Sequence, residues 1–436
     1  MRLLVDHGSS HNLGDTAMIE GVVLHLQRAF PNAQIAVVDH PRLVTHLYDS
    51  GRILRNNAYS IRIGGGTFLG RLRFFHRYRK AWQRWVQKAL LASIIPFSGA
   101  CTLRLCNAQT GVLTLGDYCA PFDALHIVGG GNLTDVFEPE LFHRCCLIHA
   151  FLQQGKPVVA TGQQLGPFRS YLYAMGLRKT LRKINFVGLR EPTESVTLCK
   201  TACLSPDRFA VMGDDSFGLL ADPPERVDPT LATLGLQPHR FLAWNVRFSR
   251  YNSSLESYLD HIAALAARIA GRFEMPLLVV PIALNPGDSD VAGGKRLAER
   301  IKNVRVAILE KPDLTPAFVK GVLGRAFGAV GASYHFCTFA LSQGTPAVCI
   351  YDGPYYAQKA RGLAAFWGES RLALALDGMD ATSASESVCK LFHDASYREA
   401  CRLRAMDAIK QWETTFEETV RTAFSEINVA HVSHTD

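Results

Sequence analysis

His335 stands where an apolar run, Gly328–Gly331, gives way through Ala332 and Ser333 to a helical pattern over Tyr334–Gln343. An imidazole in that place can move a proton, because an unperturbed histidine titrates near ~6.5. Lys359 follows soon after the next apolar run, Ala347–Tyr351, and brings a fixed positive charge. Arg190 closes the run Phe186–Leu189, and Arg247 follows Phe241–Val246. An arginine so placed suits a two-point grip on a carboxylate or phosphate. Asp15, in the turn Asn12-Leu13-Gly14-Asp15, and Asp215, in the run Val211–Ser216, add carboxylates. Together these residues would support proton chemistry on a bound anion.

The elements that must position them follow from the apolar spacing. Around His335 the pattern is strand, tight turn, helix, strand, with Gly344 ending the helix where a left-handed residue is wanted. That is the βαβ unit of an open parallel sheet. Ligands of such sheets sit beyond the carboxyl ends of strands, where helix N-termini attract anions. The same theme opens the chain: strand Leu3–Val5, a Gly/Ser/Asn turn, helix Thr16–Phe30 and strand Ile35–Val38. The run Ala124–Val128 leads into Gly129, Gly130 and Gly131, then Asn132. Lys156–Ala160 leads into a loop carrying Gln163 and Gln164. Neither glycine stretch, Gly64–Gly66 or Gly129–Gly131, is a dinucleotide fingerprint or a Walker loop.

Plainer uses compete for each residue. Asp15 could simply cap its helix. Phe336, Phe339 and Ala340 crowd His335, so a core histidine is the competing reading there. Arg190 has Glu191 beside it and could form a structural ion pair.

The motifs taken together resemble the polysaccharide pyruvyl transferases. They are the His335 region with FALSQGTPAV, Tyr351 and Lys359; Asn12-Leu13-Gly14-Asp15; Gly129–Gly131; Gly162–Pro167; Arg190-Glu191 with Ser195; and Asp215, in the family's order across most of the chain. One position departs: the family carries arginine two residues before the histidine, where this chain has Ser333. The resemblance implies transfer of a pyruvyl group from phosphoenolpyruvate to two hydroxyls of one sugar, as a ketal, with no cofactor or metal. It places His335, Arg190 and Asp15 in catalysis. Arg247, Lys359, Ser333 and Tyr334 fall on the donor side. Asn12, Gly14, Gly129, Gly130, Gly131, Asn132, Gln163, Gln164 and Asp215 fall in the cleft loops. With Ser333 in place, Lys359 or Arg361 would have to supply the missing charge. A nucleotide-sugar glycosyltransferase of the same fold, or an inactive relative serving as a binding subunit, are the alternatives.

At 436 residues the chain has room for two domains, and 48% hydrophobic with 20% charged residues is a globular composition. The expected architecture is α/β, with two doubly wound Rossmann-like domains facing a cleft, as in glycosyltransferase-B folds. Expected bounds are 1–222 and 240–380, with Ala221–Arg240 as linker and a helical segment over 385–426 packing back across both. No run approaches the ~20 apolar residues of a membrane span. The opening MRLLVDHGSS does not read as a secretory signal, and the eleven cysteines follow no disulfide or zinc spacing. A cytoplasmic protein with reduced cysteines is expected.

The formal charge is +8, and no Asp or Glu occurs between Ser50 and Gly116. Such a surface attracts anionic partners. At about 100° per residue, Arg73, Arg77, Lys80, Arg84 and Lys88 share one stripe of Arg73–Leu90, opposite Trp82 and Trp85. An ordinary surface helix is one reading; contact with anionic membrane, where lipid-linked sugars would be met, is the sharper one. Nucleic acid is not an expected partner.

Overall fold

The computed structural model describes residues 1–6, 12–38, 53–56, 59–63, 101–105, 112–247, 255–285 and 288–432. Arg73–Leu90 and Gly64–Gly66 lie outside them. The chain forms two compact units. The first takes Met1–Gly8, Val22–Asp214 and Thr414–Asp436; the second takes Ser9–Gly21 and Asp215–Glu413.

The first unit is built on strands β1 (Arg2–Asp6), β2 (Gln34–Val38) and β3 (Ile53–Asn56). A small antiparallel sheet, β4 (Tyr59–Ile63), β5 (Cys101–Leu105) and β6 (Val112–Thr114), comes next in the chain. Then follow β7 (Ala124–Ile127), β8 (Gly130–Leu133), β9 (Val158–Leu165), β10 (Phe186–Leu189) and β11 (Phe209–Val211). The main sheet runs β11-β10-β9-β7-β1-β2-β3, with β8 paired to β9, and its pairings are parallel. Successive strands go one way from β1 and then the other way from β7. The order therefore reverses between β1 and β7, and Gly129–Gly131 follow β7 at that reversal. Both faces of such a sheet are covered, which is why its strands read as near-continuous apolar runs. Leu4, Leu125, Ile127, Phe142, Phe151, Leu165 and Tyr173 lie in the resulting core. Burying each large side chain contributes roughly 1.5–3 kcal/mol.

The second unit holds β12 (Leu242–Asn245), β13 (Leu277–Val279), β16 (Val306–Ile308), β17 (Gly328–Gly331), β18 (Ala347–Tyr351) and β19 (Ala373–Ala375). A two-residue hairpin, β14 (Leu284–Asn285) with β15 (Asp288–Ser289), stands apart. The six strands form a parallel sheet ordered β16-β13-β12-β17-β18-β19. Here the order reverses between β12 and β17. Arg247 follows the first of these strands and His335 the second.

Three stretches differ from their sequence reading. Ala221–Arg240 is no irregular linker: Pro224–Thr233 is a helix, started by a proline at its first turn. The helical pattern after 380 divides into Ala381–His393 and Ala395–Val432, with Asp394 between them. β9 runs on to Leu165, so Gln163 and Gln164 lie within a strand and not in a loop. The cysteines whose side chains are described are free, and Cys203 alone among them is exposed. Among the described residues no helix is long and apolar enough to cross a membrane.

Candidate active site

The residues around His335 are held by one buried carboxylate. Asp290 opens the helix Asp290–Arg300, capped by the Ser289 hydroxyl, and is wholly buried. Its Oδ2 accepts the backbone N–H of Ile282 and of Ala283, each at 2.9 Å, and Asn245 Nδ2 at 3.0 Å. Its Oδ1 takes Arg247 Nη1 at 3.3 Å. Burial pushes the Asp290 carboxyl above its usual range, while Arg247 and the N–H donors pull it back.

Two arms lead from Asp290 to His335. The first runs through Asn245, whose Oδ1 accepts the Ser333 N–H at 3.2 Å and whose Nδ2 also donates to Val280 O. Gly331 lets this arm close, because an added Cβ there would lie 2.6 Å from Phe336 and 2.8 Å from Asn245. Ser333 then forms the N-cap of the helix Tyr334–Ser342. The second arm runs through Ile282 and Ala283. Leu13 N donates to Ile282 O at 2.9 Å, and Asn12 bridges Ala283. Asn12 caps the helix Leu13–Ala29, its Oδ1 accepting the Gly14 N–H at 2.8 Å. Capping therefore falls to Asn12, and Asp15 sits further into the first turn.

The arms meet at Gly14. A Cβ added to it would fall 2.0 Å from His335 Cγ and 2.1 Å from Nδ1. Only a glycine lets the helix backbone come so near the imidazole. His335 is 8% exposed, with the Tyr334 ring edge-on at 5.3 Å and Phe339 at 6.2 Å. Asn12, Gly14, Ser333, Tyr334, His335 and Arg247 thus belong to one constellation of the second unit, and Asp15 follows Gly14 in the first turn of its helix.

Other expected residues of this unit have separate surroundings. Lys359 Nζ lies 4.3 Å from the Tyr355 ring centroid. Arg361 is exposed and donates through Nε to the Tyr351 hydroxyl at 3.3 Å. Asp215 is fully buried and accepts the Trp412 indole N–H at 3.0 Å. Gly218 admits the Trp412 ring, which would lie 2.4 Å from an added Cβ. Asp215 is thereby engaged in packing.

The first unit carries the remaining candidates. Arg190 is 2% exposed, donates to Gln164 Oε1 and stands 3.8 Å from Asp214 Oδ2. Glu191 is not its partner: that carboxylate accepts the Thr193 and Ser195 N–H groups, both at 2.7 Å, at the start of the next helix. Ser195 Oγ in turn accepts the Leu165 N–H at 3.0 Å. Gln163 is fully buried, its amide donating to Val128 O at 2.9 Å and Thr161 O at 2.8 Å. This bond fixes the start of the turn that carries Gly129, Gly130 and Gly131; Gly130 adopts φ 144°, open to glycine. Asn132 lies on β8, half-buried.

Sequence reasoning did not single out Asn245 or Asp290. A signal was present for Asn245, a polar residue closing the buried run Phe241–Trp244, two places before an arginine. Nothing local distinguished Asp290 from a loop aspartate, because two of its four partners, Asn245 and Arg247, lie more than forty residues away.

Two parallel α/β units, each with ligand-competent loops at a strand-order reversal, define the glycosyltransferase-B class of fold. Solved structures agree. UDP-GlcNAc 2-epimerase from Neisseria meningitidis, bound to UDP-GlcNAc, matches with a TM-score of 0.57 at 13% identity, over 97% of this chain and 100% of its own. A putative UDP-N-acetylglucosamine 2-epimerase from Listeria monocytogenes matches with a TM-score of 0.58 at 13% identity, over 100% and 97%. The calicheamicin glycosyltransferase CalG4 matches with a TM-score of 0.51 at 15% identity, over 97% and 98%. At such identities the likeness concerns the fold. A search of curated proteins finds no match. The family is settled by the sequence itself: residues 12–354 match the polysaccharide pyruvyl transferase family, and the chain belongs to it. It is accordingly a transferase.

Proposed function

We propose that the protein transfers a pyruvyl group from phosphoenolpyruvate to two hydroxyls of a glycan sugar, forming a cyclic ketal. The observation that carries this reading is the Gly14–His335 contact, which joins two family motifs more than three hundred residues apart in sequence. Family membership and the fold support it.

Phosphoenolpyruvate brings a carboxylate and a phosphate, so fixed cations must hold it. Arg247 is aimed by Asp290 and shares a recess with Ala332, the residue before Ser333. A guanidinium therefore stands beside the turn where Ser333 replaces the family's arginine. Arg247 fills that role better than Arg361, which is engaged with Tyr351. Lys359 supplies a further charge. His335 gives a proton to the enol methylene, leaving an oxocarbenium-like carbon. A sugar hydroxyl attacks that carbon, phosphate leaves with the electron pair of its C–O bond, and a second hydroxyl closes the ring. Asp15 orients the acceptor beside His335. Arg190, buried among Gln164 and Asp214, shapes the loops of the first unit.

The test is to incubate the protein with phosphoenolpyruvate and a panel of hexose-containing glycans and to follow phosphate release and ketal formation together. Both should appear with one glycan class and neither without an acceptor. Sugar transfer from a nucleotide-sugar, with no phosphate from phosphoenolpyruvate, would favour the glycosyltransferase reading.

A further inference from the structure

A cavity of about 220 Å³ opens at the amino edge of the second sheet, the edge away from His335. Leu341, Trp367, Glu369, Arg371, Asp394 and Tyr397 line it. Its place follows from the chain. The Tyr397 hydroxyl donates to Ala347 O at 2.8 Å, where β18 begins. Gly368, at φ 71°, ends the helix Pro354–Trp367 and turns the chain into Glu369 and Arg371, just before β19. Leu341 lies in the last turn of Tyr334–Ser342, about 9 Å along that helix from His335 at 1.5 Å per residue.

The polar groups of the lining are fixed in one network. Arg371 donates through Nε and Nη2 to the two oxygens of Glu369, at 2.9 and 2.6 Å, and through Nη1 to Asp394 Oδ2 at 3.0 Å. Asp394 Oδ1 accepts the Tyr397 N–H at 3.1 Å. Arg371 holds the Glu369 carboxyl below its usual range, and the Tyr397 N–H, then Arg371, does the same for Asp394. Two carboxylates thus face one guanidinium, and the surplus charge is negative. Three of the five guanidinium N–H groups are used, and the carboxylate oxygens keep lone pairs to spare. The network therefore offers donors and acceptors side by side. Beside it the Trp367 and Tyr397 rings and Leu341 give an apolar wall. Trp367 is 8% exposed, and its indole N–H meets no acceptor among the described residues.

We propose that this cavity is a glycan site separate from the His335 constellation, holding one uncharged hexose unit of a sugar chain. A hexose has an apolar C–H face for the rings and neighbouring hydroxyls that both donate and accept, as the network requires. One of its oxygens accepts the Trp367 N–H. An anion would meet the surplus carboxylate, and a wholly apolar guest would strip the network of the water that otherwise solvates it. The room, about seven waters in volume, suits a single ring. A sugar chain held here is tethered to the unit that carries His335, which raises its effective concentration there. The assignment stands on the cavity alone, so it survives if the reaction is not pyruvyl transfer.

The experiment reads the indole N–H signals of the full chain by NMR, one for each of the five tryptophans. Trp367→Phe assigns the Trp367 signal as the one it removes. Titration with methyl hexosides should move that signal, and the same concentrations of inorganic phosphate or tetramethylammonium should not. Ala400 also lines the cavity, from an exposed position on Ala395–Val432, so Ala400→Phe fills it without disturbing the core. The shift should then need at least ten times more hexoside. Arg371→Ala, at a half-exposed side chain, should weaken it likewise by removing the remaining donors. Melting curves show that each variant is folded. A Trp367 signal that no hexoside moves, that phosphate or tetramethylammonium moves as readily, or that moves equally in both cavity variants overturns the proposal.

Discussion

Gly14 lies against the imidazole of His335 so closely that an added methyl would fall 2.0 Å from the ring. Gly14 is in the first turn of Leu13–Ala29, where alanine would ordinarily be the better helix former by about 1 kcal/mol. Here the sign should reverse. Gly14→Ala must push His335 aside or lift the helix end away, and overpacking of this kind costs about 1–3 kcal/mol. Urea unfolding should show the loss, with a fall in turnover. Gly271→Ala is the control: nothing lies within 4 Å of a Cβ added there, in the helix Leu255–Phe273. It should be stabilising by about 1 kcal/mol.

Asp290 should matter to both arms. Asp290→Asn can keep one oxygen for the Ile282, Ala283 and Asn245 donors, but it turns an NH₂ group toward Arg247. The fold should survive with a loss of about 1–3 kcal/mol, the range for an unsatisfied buried group. Donor affinity should fall further, because Arg247 loses the partner that aims it. Calorimetric titration with phosphoenolpyruvate beside a melting curve separates these effects. Unchanged donor affinity would remove Arg247 from the donor site.

Two buried histidines of the first unit predict acid sensitivity. Burial lowers His126 to about 3 and His149 to about 4. Above about pH 6.5 both are neutral, folded or unfolded. Below it the unfolded chain takes protons that the folded chain refuses, so stability falls as pH drops from about 6.5 toward 4. At pH 5 the loss is about 2 kcal/mol per histidine. Urea midpoints at pH 7.5 and pH 5 should show it, and a His126→Gln, His149→Gln double variant should flatten the slope.

The strand–turn–helix–strand unit around His335 was legible because a buried parallel strand and a short apolar helix each leave a local pattern. Tyr334–Gln343 was read from the sequence and Tyr334–Ser342 is found; Ala347–Tyr351 agrees at both ends. β9 was misjudged because Gln163 and Gln164 look like loop residues. Both are buried in the strand, Gln163 donating to Val128 O and Thr161 O and Gln164 accepting from Arg190, which no local pattern discloses. Pro224–Thr233 was hidden by its prolines, although one at the first turn of a helix is well tolerated. The motif residues Asn12, Gly14 and His335 could be named singly, yet their meeting depends on Asp290, whose bonds to Asn245 and Arg247 cross more than forty residues of chain. Long-range hydrogen bonds leave no period in a sequence.

The central claim is that His335, set against Gly14, moves the proton that activates phosphoenolpyruvate. The direct measurement compares phosphate release by wild type and His335→Asn with phosphoenolpyruvate and the accepted glycan, alongside donor affinity by calorimetry. Asparagine keeps the size and polarity of the side chain but cannot act as the acid. Turnover should fall about 10²–10⁴-fold, while donor affinity changes little. Turnover near the wild-type rate in His335→Asn would contradict the account and return the histidine to a packing role.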